Sequence, residues 1–377
     1  MRSTKWVSVI AAAALTFGVA ACGSDNNDNN SGGGASTGSS TAAGGGGKSG
    51  KIALLLPESK TARYESSDRP AFEAVVAARC PECRVLYANA DQDAARQQQQ
   101  AESVLTQGAN VLVLDAVDAA AAASIVAAAN ERGVKVIAYD RFIADAPVDY
   151  YVSFDNELVG RLQGEALVTA LDATKPAGGA RRGVLVVGGA ATDPNSAQYR
   201  TGVLAAFEGH DIDVLASYDT PDWSPDKAQE WVAGQLTQYD GRVDAIAAAN
   251  DGTAGGAISA MKAAGLDPVP PVTGQDAELA AVQRIISGDQ YMTVYKAIRQ
   301  QAGIAAELAV QVTRGEQPST SVSVSGVPAL LLAPVAVTKA DVGRILVGGG
   351  VFTTEEICVQ PYRQACLDAG LITGGGS

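Results

Sequence analysis

Three hundred and seventy-seven residues exceed one small domain, and at roughly 100–200 residues per domain they suggest two lobes plus extras. Hydrophobic content of 47% with a mean hydropathy of +0.06 describes a globular chain with a large core. A net charge of −13, from 41 acidic against 28 basic residues, argues against nucleic acid as a partner, and a single histidine, His210, excludes a multi-histidine metal site.

The chain opens with Arg2 and Lys5, then an apolar run from Trp6 to Val19 that is too short to span a membrane. Val19-Ala20-Ala21-Cys22 resembles the lipobox of bacterial lipoproteins, so residues 1–22 are expected to be an export leader ending in a lipid-accepting Cys22. The alternative is an ordinary secretory signal with a chance cysteine. Removing the leader with its two basic residues takes the net charge from −13 to −15. Residues 23–50 are almost wholly Gly, Ser, Asn, Asp, Thr and Ala, a composition that reads as a flexible tether.

From Lys51 short apolar runs alternate with helical patterns. Ile52–Leu56 reads as a strand buried on both faces. Helix Pro70–Arg79, strand Arg84–Tyr87, helix Ala94–Gln107, strand Val111–Leu114, helix Ala119–Arg132 and strand Lys135–Tyr139 follow. Gly108 and Gly133 stand just past helix ends, where a left-handed cap belongs. A second series begins after Tyr150–Phe154: helix Glu157–Leu171, strand Gly183–Val187, helix Ser196–Glu208 and strand Val214–Ser217. It continues through helix Asp226–Tyr239, strand Ala245–Ala248, helix Gly252–Ala264, strand Val272–Gly274 and helix Ala277–Ser287. The fold class is α/β, with two doubly wound parallel-sheet lobes rather than one sheet of ten or more strands.

Four cysteines remain beyond Cys22. An even number in an exported chain favours disulfides, Cys80 with Cys83 in a helix-to-strand loop and Cys358 with Cys366 in a C-terminal turn; a shared zinc site is the lesser alternative.

The lobes carry an internal echo. Strand, Asp115, Ala-rich helix, glycine, strand, Asp140 is repeated as strand, Asp251, Ala-rich helix, glycine, strand, Asp276, with a spacing of 25 residues in both. Ligands of open α/β sheets bind outside the carboxyl ends of strands, so two such faces opposed would form a cleft. At those ends stand Tyr139, Phe142, Phe154 and Trp223, with Tyr64 in the first loop. Beside them lie Arg63, Asp140, Arg141, Asp155, Asn156, Asp193, Asn195, Arg200, Asn250, Asp251, Asp276 and Lys296. Carboxylates and guanidinia grip adjacent hydroxyls in pairs, and an aromatic face matches the C–H face of a pyranose. The set describes a neutral polyol site with no cofactor and no metal.

Plainer roles compete for several of these residues. Asp115 and Asp251 are as readily helix N-caps, one of Tyr150 and Tyr151 should be core, and His210 should be a solvated loop residue. Gln97–Gln100 reads as a wet helix face. Asp91 and Asp93 lack calcium-loop spacing, and neither Gly188-Gly189 nor Gly255-Gly256 makes a dinucleotide fingerprint.

Tyr139-Asp140-Arg141, Ser153-Phe154-Asp155-Asn156-Glu157-Leu158-Val159-Gly160, Asn250-Asp251-Gly252-Thr253-Ala254-Gly255-Gly256-Ala257-Ile258, Gly274-Gln275-Asp276-Ala277 and Met292-Thr293-Val294-Tyr295-Lys296 follow a recognisable pattern. From about Lys51 to Arg344 the chain resembles the D-xylose-binding proteins, periplasmic sugar-binding proteins of type I fold that serve ATP-binding-cassette (ABC) importers. The resemblance implies a ligand set of Arg63, Tyr64, Asp140, Arg141, Asp193, Asn195, Trp223, Asn250, Asp276 and Lys296. Tyr64 stands where the family usually has Trp. Asp193-Pro194-Asn195 keeps two members of an Asp-Asn-Asn, and Pro221-Asp222-Trp223 keeps the tryptophan of an Asp-Gly-Trp. It also implies a three-strand hinge, with crossings near Ser153–Asp155, Val294–Lys296 and Val327–Leu332. Residues 51–153 with 297–326 would form the first lobe and 156–294 with 330–350 the second, leaving 351–377 as an extension.

The expected function is capture of one monosaccharide, xylose first and glucose or another aldose as the alternative, by closure of two lobes. The partner would be a membrane permease, the chain a monomer tied to the membrane only through its lipid anchor. A sugar sensor presenting its ligand to a receptor is the runner-up. A sugar-responsive transcription factor would need a basic helix-turn-helix where this chain has a leader. A glycosidase would need a protonated carboxyl, and the basic residues around Asp140 and Asp276 oppose one.

Overall fold

A computed structural model describes residues 50–174 and 181–373. The expected leader, Cys22 and all but the last residue of the expected tether lie outside the described residues.

The first lobe is built on β1 (Lys51–Leu56), α1 (Arg69–Arg79), β2 (Arg84–Asn89), α2 (Ala94–Thr106), β3 (Val111–Leu114), α3 (Ala123–Glu131), β4 (Lys135–Tyr139) and β5 (Tyr150–Phe154). These five strands are parallel, in the order β5-β4-β3-β1-β2. Successive β1 residues serve opposite faces. Ala53 and Leu55 join the core beneath α2 and α3, whereas Ile52, Leu54 and Leu56 join the one beneath α1. A strand with two buried faces reads as an unbroken apolar run. Gly108 and Gly133 take positive φ just past their helices, as expected.

The second lobe continues through α4 (Asn156–Asp172), β6 (Arg182–Gly188), α5 (Pro194–Phe207), β7 (Ile212–Asp219), α6 (Pro225–Gln238), β8 (Ala245–Ala248), α7 (Asp251–Ala263), α8 (Leu279–Ser287) and β9 (Met292–Tyr295). The parallel sheet β7-β6-β8 is prolonged by residues 272–275, which bridge to Ile246 on one side and Val294 on the other. The strand expected at Val272–Gly274 is thus reduced to single bridges. Helices α4 and α5 approach so closely that a Cβ on Gly160 would lie 1.9 Å from the Tyr199 carbonyl oxygen, and one on Gly202 2.0 Å from that of Glu157. These two glycines set the position of Tyr199.

The chain returns through α9 (Ile298–Thr313) to the first sheet, where β10 (Val322–Val324) and β11 (Val327–Leu332) extend its edge, β11 parallel to β5 and β10 antiparallel to β11. It then crosses to β12 (Val335–Thr338), which pairs with β9. The boundary expected near 326–330 therefore moves: β11 belongs to the first sheet through Leu332, because Ala329 is buried in its core with Val327 and Leu331 beside it. Helix α3 also starts four residues later than expected. The Asp118 carboxylate accepts the N–H groups of Ala120 and Ala121, and the Ala119 N–H donates to Thr192 across the cleft.

Beyond β12, α10 (Thr354–Ile357) and α11 (Arg363–Asp368) are joined by Cys358–Cys366, with Cα atoms 5.8 Å apart. Ile357 and Cys366 are fully buried against Val282, Ile285 and Ile286 of α8, so the extension completes a core of the second lobe. Cys80 and Cys83 join in the α1–β2 loop, with Cα atoms 5.2 Å apart. The pairs sit in different lobes, which removes the shared zinc alternative.

Candidate functional site

Between the carboxyl ends of the two sheets lies a small cavity. Nine of the ten expected residues line it: Arg63, Tyr64, Asp140, Arg141, Asp193, Trp223, Asn250, Asp276 and Lys296. Asn195 stands behind the wall, its amide donating to the Asp140 carboxylate at 3.2 Å from the opposite lobe. Asp140 (φ 59°) and Asp276 (φ 92°), equivalent members of the internal echo, both occupy left-handed backbone. That conformation is costly for a residue with a Cβ and persists where surrounding contacts enforce it.

The first lobe presents two buried guanidinia. Arg63 donates to both carboxylate oxygens of Asp68 at 2.9 Å, to Asp140 at 2.9 Å and to the Gln301 carbonyl at 2.8 Å. Gln301 in turn donates to Asp140 at 3.1 Å. Burial alone would raise the Asp140 carboxyl, but Arg63, Lys296 and the Gln301 amide hold it well below the usual carboxylate range. Arg141 donates to the Ala116 carbonyl at 2.9 Å and the Tyr64 hydroxyl at 3.2 Å. Its Nε lies 2.9 Å from Asp193 of the second lobe.

The second lobe supplies helix starts and aromatic faces. Asp193 caps α5 through the Asn195 N–H, and Asn250 caps α7 in a reciprocal pair with Thr253. Trp223 meets Tyr199 edge to face, with ring centroids 6.4 Å apart, and a Cβ on Gly189 would strike its ring at 2.1 Å. Lys296 comes from the chain crossing after β9. It pairs with Asp276 at 3.0 Å and lies 5.4 Å from the Phe154 ring centre. Burial opposes its charge, but Asp276, Tyr199 and Asp140 raise its pKa above the ordinary lysine value.

Four buried atoms in the cavity wall have no hydrogen-bond partner among the described residues: Arg141 Nε and an Asp276 oxygen, each held only in an ion pair, and the Trp223 indole N–H and Gln275 carbonyl oxygen, which have no partner of either kind. The indole is a donor and the amide oxygen an acceptor. A hydroxyl-bearing ligand satisfies both kinds at once.

Residues 52–317 match the family model described as a periplasmic binding protein domain. Over 318 residues the chain is 35% identical to the D-xylose-binding periplasmic protein of Haemophilus influenzae, covering 82% of this chain and 92% of that one. It is 34% identical over 318 residues to the Escherichia coli protein of the same name, covering 82% and 93%. The chain belongs to the periplasmic sugar-binding proteins of type I fold. Among solved structures, an ABC transporter solute-binding protein from Clostridium phytofermentans with bound β-D-glucose superposes with a TM-score of 0.74 at 25% identity, covering 81% of this chain and 99% of that one.

In this binding protein three further residues line the cavity, Thr61, Tyr199 and Gln275. Tyr199 follows Asn195 by one helical turn, a signal that was available in the sequence, and Gln275 sits inside the Gly274-Gln275-Asp276 motif. Phe142 packs instead on Tyr151, Asp155 caps α4, and Arg200 pairs with Asp219 on the surface. Gln97 is not on a wet face. It is buried, donating to the Asp115 carbonyl and accepting from the Val117 N–H.

Asp115 and Asp251 are not N-caps: α3 starts only at Ala123, Asn250 caps α7, and both carboxyls are fully buried. Asp251 follows the true cap, Asn250, and accepts from Gln290 at 2.8 Å, Thr293 at 3.0 Å and the Glu278 N–H at 2.9 Å. Burial raises its carboxyl to about 7 and that of its neighbour Glu278 to about 8. Asp115 lies beneath Arg141, at 3.4 Å from its Nε.

Proposed function

We propose that the protein captures one neutral monosaccharide between its lobes for an ABC importer, with D-xylose the foremost ligand, and that Arg63, Tyr64, Asp140, Arg141, Asp193, Trp223, Asn250, Asp276 and Lys296 hold the sugar while Asn195 braces Asp140. The observation that carries this reading is the closed cavity itself. It mixes fixed charges, three aromatic side chains and the unpartnered Trp223 indole N–H and Gln275 carbonyl oxygen, the groups a small polyol pairs with. D-Glucose is the second reading, favoured by the glucose bound in the related solute-binding protein and by Tyr64 in place of the bulkier tryptophan.

Asp140, held ionised by Arg63 and Lys296, offers no proton to a glycosidic oxygen, which supports binding rather than hydrolysis. Lipid attachment at Cys22 would keep the protein beside its permease on the outer side of the membrane, as a monomer. A thermal-shift screen of aldopentoses and aldohexoses, followed by titration calorimetry, tests the assignment. Stabilisation by D-xylose or D-glucose is expected. Stabilisation only by an amino acid, a purine or a metal ion overturns it. Cys22→Ser should release the protein from membranes or leave its leader uncleaved, and unchanged fractionation of a normally cleaved protein would remove the anchor.

A further inference from the structure

Around Arg141 the closed cleft buries more carboxyls than it can neutralise. Asp115, Asp193 and Glu58 all lie near this guanidinium, and all four side chains are at most 4% exposed. Glu58 is satisfied by the backbone N–H groups of Lys60 and Thr61; Asp193 accepts the Asn195 N–H and is ion-paired with Arg141. Asp115 is not: neither carboxylate oxygen has a hydrogen-bond donor among the described residues. Its Arg141 neighbour lies 3.4 Å away, against 2.9 Å for Asp193. Gln97, the polar side chain that reaches it from α2, is spent on the backbone of residues 115 and 117.

Asp115 and Arg141 belong to the first lobe and Asp193 to the second. Opening the cleft removes Asp193 and admits water, leaving Arg141 to Asp115. Closing reverses this. We propose that Asp115 is a positioning residue that holds Arg141 in the open protein, yields it to Asp193 on closure, and takes up one proton from solvent as the sugar is enclosed. This rests on the reading of the cleft as a sugar site.

The charge arithmetic requires it. A carboxylate stranded without a donor in a dry site costs more than a protonated one. Burial raises the Asp115 carboxyl well above its ordinary value; Arg141 and Arg63 oppose this, and Asp140 and Asp193 add to it. Tyr64, the remaining neighbour, already accepts from Arg141. A second group at the lobe boundary, Glu278, also has a raised pKa, and the Ala62 N–H of the first lobe is directed at its carboxyl. Its contribution is separated by Glu278→Gln. Asp251 takes its three donors from its own lobe and keeps them on opening.

Calorimetry with D-xylose, or with the aldose giving the largest thermal shift, in two buffers of different ionisation enthalpy reads protons taken up per sugar bound. Between about pH 5.5 and 7, above the ordinary aspartate range, Glu278→Gln is expected to take up about one proton, with Kd rising up to about tenfold per pH unit. Asp115→Asn/Glu278→Gln should take up none, and its Kd should not vary with pH. Asp193→Asn/Glu278→Gln, which leaves Arg141 to Asp115, should bind more weakly and also without uptake. Sugar binding with no proton exchange in Glu278→Gln overturns the proposal, as does a double Asp115 variant that retains the uptake. If the Asp115 variant does not fold, the pH dependence of Glu278→Gln and its loss with Asp193→Asn still decide. Absence of binding by every aldose overturns the sugar reading as well.

Discussion

Asp140 and Asp276 show how a side chain acquires its role from the backbone beneath it. Both follow a parallel strand, both sit at positive φ, and each carboxylate meets a cation that burial keeps from escaping into water. Removing a charged partner from such a site strands the groups that remained paired to it. Asp276→Ala and Arg141→Ala are each expected to weaken sugar binding by roughly 2–4 kcal/mol, about 30- to 1000-fold, measured by calorimetry. A loss under threefold for both would misplace the cleft. These residues were legible because strand ends are where α/β ligands bind and because the motifs are ordered. Asp115 was not legible. A strand-end aspartate reads equally as a cap, and only the neighbouring lobe shows that its partner is shared.

Among the elements, α4 and α5 depend most on side chains that are absent. Gly160 and Gly202 face one another's helices, and no periodicity reports that a backbone must approach so closely. Filling either position overpacks the interface, at typically 1–3 kcal/mol. Gly202→Ala should lower the melting temperature by several degrees and, by displacing Tyr199, weaken sugar binding. A variant with unchanged melting and affinity would deny the glycines this role. The strand and helix order was readable from apolar runs and breakers, while three details were not. Residues 272–275 pair by single bridges, α3 yields its first turn to Asp118, and β11 stays with the first sheet because its alternation fits that core. Each depends on a partner distant in sequence. The C-terminal knot belongs at this scale too. Because α10 and α11 lie on α8, Cys358→Ser/Cys366→Ser should destabilise the second lobe, by roughly 2 kcal/mol for a short loop, seen as a lower melting temperature with little change in affinity.

Over the whole molecule two consequences follow from closure. Small-angle scattering should show a smaller radius of gyration with sugar, and Arg141→Ala should not contract. Two acids with raised pKa values add a pH dependence. Asp251 and Glu278 have folded-state pKa values of about 7 and about 8, above their ordinary values near 4. The folded form therefore binds more protons than the unfolded one between those limits. Their contribution is full below about pH 4 and is lost as pH rises through 7 and 8. Melting temperature should fall between about pH 5.5 and 8.5, and less steeply in Glu278→Gln; an equal slope would exclude Glu278 as a source.

Lys60 and Asp222 meet across the mouth of the cleft at 3.7 Å, with their side chains 43% and 58% exposed. Neither lines the cavity, although Thr61 and Trp223 beside them do, so a probe at this rim would report the motion from outside the sugar contacts. The four cysteines of the described residues are already bonded in pairs, and a thiol introduced as Lys60→Cys in a version lacking Cys22 would be the single reactive one. An environment-sensitive dye there would sit in open water until the opposite rim arrives, and its emission would then read out sugar concentration directly, turning the molecule into an optical gauge.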